Sequence, residues 1–211
     1  VNFGTRIYTF LEKKDEAEKV EKNILKRFPK GLKARNEAFK TVFSASNTTA
    51  DAAEKSYNSF LKKFPLNNFD KKDQGLYTNA ESKLAAMFFK ENNVAKANEY
   101  VNKMKSGNTF IQGAYGLTTE LAKNQDYKNS IPVLVDAIAE AKENKTVGTN
   151  YLPVLNTAYA KALYETGKYD EAIKIVEDQL KSNRTAANNV GINLILANAY
   201  AKVGKDLDAF L

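Results

Sequence analysis

Ala17-Glu18-Lys19 runs on to Leu25-Lys26-Arg27-Phe28-Pro29, and 36 residues later Ala53-Glu54-Lys55 runs on to Leu61-Lys62-Lys63-Phe64-Pro65 in the same register. An alanine early in a helix, closed at a fixed distance by Phe-Pro, is a unit that occurs twice. Proline lacks the N–H that a continuing helix needs, so each copy carries its own stop. A second pair, Gly167-Lys168-Tyr169-Asp170-Glu171-Ala172 and Gly204-Lys205-Asp206-Leu207-Asp208-Ala209, keeps a glycine-to-alanine spacing of five at an offset of 37. Periods of this length mark stacked helix hairpins, because one hairpin alone cannot bury its apolar face.

Outward from these copies, apolar residues fall at helical spacing nearly everywhere and no period of two is sustained. The expected class is all-α. Breakers predict helices over 5–12 and 15–28, 33–45 and 49–63, 73–90 and 94–105, 109–123 and 127–143, 149–165 and 169–182, and 187–202 with a partner from 206: five hairpins and part of a sixth. At one position early in the second helices stand Ala17, Ala53, Ala97, Ser130, Ala172 and Ala209, all small. Helices joined by a tight turn approach closely only where one presents little more than a methyl group. Bulky residues four apart on the first helices should fill the space beside them: Leu84 and Phe88, Leu117 and Leu121, Tyr159 and Leu163, Leu196 and Tyr200. Gly167 and Gly204 suit a left-handed turn residue, and Asn92-Asn93 and Asn124 are the next-best choices. The uneven spacing of the small residues places extra chain between hairpins at Leu66 to Lys72 and at Asn144 to Gly148, expected as loops.

Composition bounds the chemistry. The 211 residues, 43% of them hydrophobic, suffice for a sizeable core. No apolar run approaches the roughly 18 residues needed to span a bilayer, so no membrane insertion is expected. Val1-Asn2-Phe3-Gly4 lacks the blocks of a signal peptide, and the chain reads as a repeat segment of a longer polypeptide. Cysteine and histidine are absent. That removes thiol chemistry, the usual zinc sites and every triad built on imidazole, and no cofactor is expected. The balance of 32 basic and 25 acidic residues gives +7, which invites a nucleic-acid reading. Against it, only Arg6, Arg27, Arg35 and Arg184 are arginine, the side chain that grips phosphates and bases, and the lysines are mixed with glutamate as on solvated helix faces. No nucleic-acid partner is expected. Phosphate loops, calcium loops and serine elbows do not occur. Asp15 and Glu16, and Asp170 and Glu171, stand at helix starts, where the macrodipole accounts for them. Asn47, Asn144 and Asn183 head glycosylation triplets, meaningful only in a eukaryotic secretory setting.

The run Tyr159-Ala160-Lys161-Ala162-Leu163-Tyr164-Glu165-Thr166-Gly167-Lys168-Tyr169-Asp170-Glu171-Ala172-Ile173 resembles the tetratricopeptide repeat, and Asn193 to Ala209 matches more loosely. The repeat's usual tryptophan is missing throughout, and Arg184 stands where its closing proline is expected. The resemblance implies a single domain over 1–211, a right-handed superhelix of about five to six antiparallel hairpins. A narrower resemblance rests on Leu25 to Phe39, which includes Phe28-Pro29-Lys30-Gly31, followed by Tyr57 to Pro65. It is similar to the helical region upstream of the thioredoxin-like domain in envelope proteins of Bacteroidetes related to the TlpA/ResA disulfide reductases. That implies export to the periplasm or cell envelope, and a C-terminal thioredoxin-like domain as partner. The motif Cys-x-x-Cys has no counterpart here, so no catalytic residue carries over.

Tetratricopeptide arrays bind a protein or peptide on the concave face formed by their first helices. The resemblance assigns to that face Lys90, Tyr115, Thr119, Lys123, Lys161, Tyr164, Leu194, Asn198 and Lys202. Lys161, Asn198 and Lys202 have the donor types to hold a peptide carboxylate. A full dicarboxylate clamp is not built, because Thr157 and Leu194 stand where lysine is wanted. The expectation is a non-catalytic interaction or scaffold segment. The alternatives are a spacer or dimerisation array with no ligand of its own, a free-standing adaptor, and an anion- or polysaccharide-binding basic surface.

Overall fold

The structure, a computed structural model, describes residues 10, 12–44, 46, 48–70, 73–105, 109–182 and 190–205. These form ten α-helices and one 3-10 turn, with no strand among the described residues. The chain divides into two compact units, residues 1–70 and 71–211.

The first unit holds α1 (Lys14–Arg27), α2 (Leu32–Lys40), α3 (Ala50–Lys63) and the 3-10 turn Leu66–Asn68. The two Phe-Pro copies end their helices alike. Phe28 has φ −131° and ψ 67°, Phe64 has φ −131° and ψ 70°, and each donates its N–H to the carbonyl four residues back, Ile24 and Phe60. Proline forces this geometry by excluding the residue before it from the α region. The expected helix 33–45 stops early, at Lys40. Thr41 and Val42 donate to the carbonyls three residues back, Ala38 and Phe39. This tightened turn carries β-branched Val42 into full burial and lays Phe43 edge-on to Phe39, 6.1 Å away. Phe39, Tyr57, Phe60, Phe64 and Phe69 continue the aromatic core. Residues 66–70, expected as a free loop, fold back so that Phe69 takes the buried guanidinium of Arg35 at 4.5 Å. Lys33 bridges α1 and α2 through Glu21 at 2.9 Å and Glu37 at 3.0 Å. Those hydrogen bonds, Glu21 first, raise the Lys33 ammonium above its ordinary range, and Lys40 followed by Lys33 holds the Glu37 carboxyl below its own.

The second unit holds α4 (Gln74–Lys90), α5 (Val94–Lys105), α6 (Phe110–Lys123), α7 (Tyr127–Glu143), α8 (Lys145–Glu165), α9 (Tyr169–Ser182) and α10 (Val190–Lys202). Its main helix contacts run between elements one or two places apart in the chain, as in a stack of hairpins. One turn recurs four times. Asn92, Gln125, Gly167 and Gly204 have φ of 59°, 58°, 80° and 75°. After each, the next N–H returns to the carbonyl five residues back, Asn93 to Phe88, Asp126 to Leu121, Lys168 to Leu163 and Lys205 to Tyr200, at 2.8–2.9 Å. This is the Schellman closure, and in two of the turns its last residue caps the following helix, Asn93 Oδ1 accepting from the Lys96 N–H and Asp126 Oδ1 from the Asn129 N–H. Asn124, expected to take the left-handed turn, has φ −88°, and Gln125 takes it instead.

Four residues past that closure sits the small residue. Ala97 and Ala172 are wholly buried and Ser130 is 2% exposed. In the first unit Ala17 and Ala53 are likewise buried. Ala209, the partner helix from 206 and most of the expected helix 5–12 lie outside the described residues. Leu84, Phe88, Leu117, Leu121 and Leu163 are fully buried beside the small residues, whereas Tyr159, Leu196 and Tyr200 are half-buried. Phe88 stacks on Tyr100 of the paired helix, centroids 5.9 Å apart. Burying such a ring contributes about 2–3 kcal/mol.

Asn144 to Gly148 does not form the expected loop. Only Asn144 leaves the helical path, and α8 begins at Lys145, ahead of the expected Thr149. A Cβ on Gly148 would lie 1.7 Å from the Ala141 carbonyl oxygen, so only glycine permits this tight join of α7 to α8. Pro153 lies inside α8, and its carbonyl accepts from Thr157 Oγ1 at 2.9 Å and from the buried Gln179 amide of α9 at 3.1 Å.

Candidate functional site

Between α6 and α8, with α7 beneath them, lies a hollow of about 570 Å³. Tyr115, Thr118, Thr119, Ala122 and Lys123 line it from α6, Tyr127, Ser130 and Leu134 from α7, and Val154, Thr157, Ala158, Lys161 and Ala162 from α8. The helical period sets the lining: positions one turn apart on α6 and α8 face each other, and the first turn of α7 closes the bottom. Tyr115 meets Tyr151 edge-on at 6.1 Å. Lys123 pairs with Glu120 at 2.7 Å. The Lys161 ammonium stands 5.9 Å from the centre of the Tyr127 ring. The arrangement offers an apolar, partly aromatic recess with a cation at its lip.

Of the residues assigned to the concave face from sequence, Tyr115, Thr119, Lys123 and Lys161 come together here. The others do not line the hollow. Lys90 is exposed at the last position of α4. Tyr164 turns to Tyr169, centroids 5.5 Å apart. Asn198 and Lys202 are exposed on α10, and Leu194 is 59% exposed there. Tyr127, Leu134 and Val154 were not singled out from sequence. For Tyr127 a signal existed: it follows the turn closure at Gln125-Asp126 directly, so the first turn of α7 faces the gap between successive first helices.

A second groove, of about 430 Å³, runs between α4 and α6. Asn79, Ser82 and Lys83 line one side and Gln112, Gly116 and Glu120 the other. Here the helices touch: the Thr78 and Thr109 hydroxyls are hydrogen-bonded, and a Cβ on Gly113 would lie 2.4 Å from Thr78 Cγ2.

No family model and no curated protein matches this chain. The site therefore has to be read from its own chemistry. Among the described residues, no group of three or more His, Cys, Asp or Glu is placed to hold a metal ion. The carboxylates noted in the sequence have local partners or positions: Asp15 and Glu16 occupy the first turn of α1 and Asp170 and Glu171 that of α9, with Lys168 3.6 Å from Glu171. Further along α9, Glu177 accepts from the Tyr200 hydroxyl and pairs with Lys181 at 3.7 Å. Asn144 is exposed between α7 and α8. Asn47 and Asn183 lie outside the described residues. No helix among the described residues is long and apolar enough to cross a membrane.

Proposed function

We propose that this chain is a non-catalytic interaction array of tetratricopeptide-like hairpins, wound as a right-handed superhelix, which receives a segment of a partner polypeptide on its concave face. The observation that carries the reading is the meeting of Tyr115, Lys123 and Lys161 around one recess, on two successive first helices. An aromatic and aliphatic recess with a lysine at its lip accepts an apolar side chain that has an acidic group beside it. The similarity of Leu25 to Phe39 to regions upstream of thioredoxin-like domains supports placing the array in the periplasm or envelope, beside such a module. Charge reversal at Lys161 tests the binding surface. Capture of the native partner should weaken about ten-fold with helical content unchanged; unchanged capture contradicts the reading.

A spacer or dimerisation array is the second reading, favoured by α10, where Val190 and Leu194 are 79% and 59% exposed. Sedimentation separates the two: a dimer broken by Leu194→Glu supports the spacer, and a monomer supports recognition.

A further inference from the structure

Of the hydroxyls lining the α6–α7–α8 hollow, those of Tyr115 and Tyr127 can serve a ligand, whereas the serine and threonine hydroxyls are turned to the backbone. Thr118 Oγ1 donates to the Ala114 and Tyr115 carbonyls at 2.9 and 3.2 Å, Thr119 Oγ1 to Tyr115 at 2.7 Å, Ser130 Oγ to Asp126 at 3.1 Å, and Thr157 Oγ1 to Pro153 at 2.9 Å. A hydroxyl carries one proton, and in all four it is directed at the helix's own backbone. Lys123 is held by Glu120. Lys161 differs. It has the Tyr127 ring beneath it and takes part in no ion pair among the described residues. The volume, about 570 Å³, falls within the range of small-molecule sites. Sugars and nucleotides need many directed donors, and besides the lysines these walls supply only the two tyrosine hydroxyls. An apolar body needs none, and one anionic head satisfies Lys161, which has no ion-pair partner among the described residues.

We infer that the hollow binds a small organic monocarboxylate, its aliphatic or aromatic body against Leu134, Val154 and Ala158 and its carboxylate at Lys161. This rests on the same recess being a binding site, and it requires no protein partner.

The test is titration of the full chain with 4-phenylbutyrate and with its neutral isostere 4-phenylbutyramide, followed by two-dimensional amide NMR. The acid should bind with a dissociation constant of about a millimolar, as expected for an anion of this size. Its shifts should cluster on α6, α7 and α8, and the amide should bind about ten-fold more weakly. Lys161→Met should abolish the difference between acid and amide, Ala158→Phe should fill the recess and remove binding of both, and Lys174→Met, on the exposed side of α9, should change neither. Equal affinity for acid and amide overturns the inference, as does a difference that survives Lys161→Met or shifts that fall outside these helices. A peptide ending in phenylalanine with a free carboxylate that binds where phenylbutyrate does not also overturns it, while leaving the partner reading in place. Intact phenylbutyrate binding together with partner capture that ignores Lys161 does the reverse.

Discussion

The grooves on the two sides of α6 follow one helical register and differ in where their helices make close contact. On the α4 side, Gly113 lets α6 press against Thr78, and what remains is a groove lined by amides, hydroxyls and the charged ends of Lys83 and Glu120. On the α8 side the close approach is made elsewhere. Gly148 presses α8 onto α7 at Ala141, and the recess between α6 and α8 is walled by tyrosines, aliphatics and backbone-bonded hydroxyls, with Lys123 and Lys161 beside them. A glycine stands at each close approach, Gly113 where α6 meets α4 and Gly148 where α8 meets α7.

The comparison can be broken at the glycines first. Gly148→Ala puts a methyl group into a backbone carbonyl that cannot move aside, and should cost about 3 kcal/mol, the upper range of overpacking, measured by urea denaturation. Gly113→Ala meets side-chain atoms, Thr78 Cγ2 at 2.4 Å and Met104 Sδ at 2.9 Å, of which the thioether can shift. Its cost should be smaller, about 1–2 kcal/mol. If Gly113→Ala proves the more damaging, the account of which contact holds the helices is wrong. Gln125→Gly has the opposite sign. The left-handed turn that precedes Tyr127 is held by a residue with a Cβ, and glycine there should stabilise by about 0.5–1 kcal/mol.

The smallest effect belongs to the first unit, which has no part in either groove. Glu37 titrates below its ordinary value of 4.5, so its contribution is present above that pH and is lost as pH falls through the lowered value. Lys33 titrates above its ordinary 10.5, so its share is present below that pH and is lost as pH rises through the raised value. These side chains are partly exposed, and screening keeps the effect well under about 1 kcal/mol. Urea titrations of the parent and Glu37→Gln should diverge above pH 5 and converge in acid; divergence that persists in acid contradicts the assignment.

What the sequence made legible is what a local rule fixes. Phe-Pro ends, small residues at crossings and glycine turns depend on backbone sterics within a few residues, and Phe28 and Phe64 accordingly have matching caps. Their burial was not legible. Phe28 is 54% exposed and Phe64 is 1% exposed, because Phe60 and Phe69 cover only the second copy. Periodicity likewise marked extra chain at Asn144 to Gly148 but not its conformation, since a helix begun one turn early depends on the fit of Gly148 against another helix. At the site, Tyr115, Lys123 and Lys161 followed from the first-helix register. Tyr127 and Leu134 come from a second helix, and Tyr164, Asn198 and Lys202 share the register without sharing the recess. A repeat register specifies direction along each helix, whereas a recess requires the distance between helices.

The most direct test of that difference places a photo-crosslinking amino acid at Ala158 in the open recess and, separately, at Lys83 in the closed groove, in the presence of the native partner. Crosslinking at 158 that is lost with Lys161→Glu, with little at 83, is the predicted result. Equal labelling at both positions, or labelling at 83 alone, would contradict the claim that the α6–α7–α8 hollow is the binding surface.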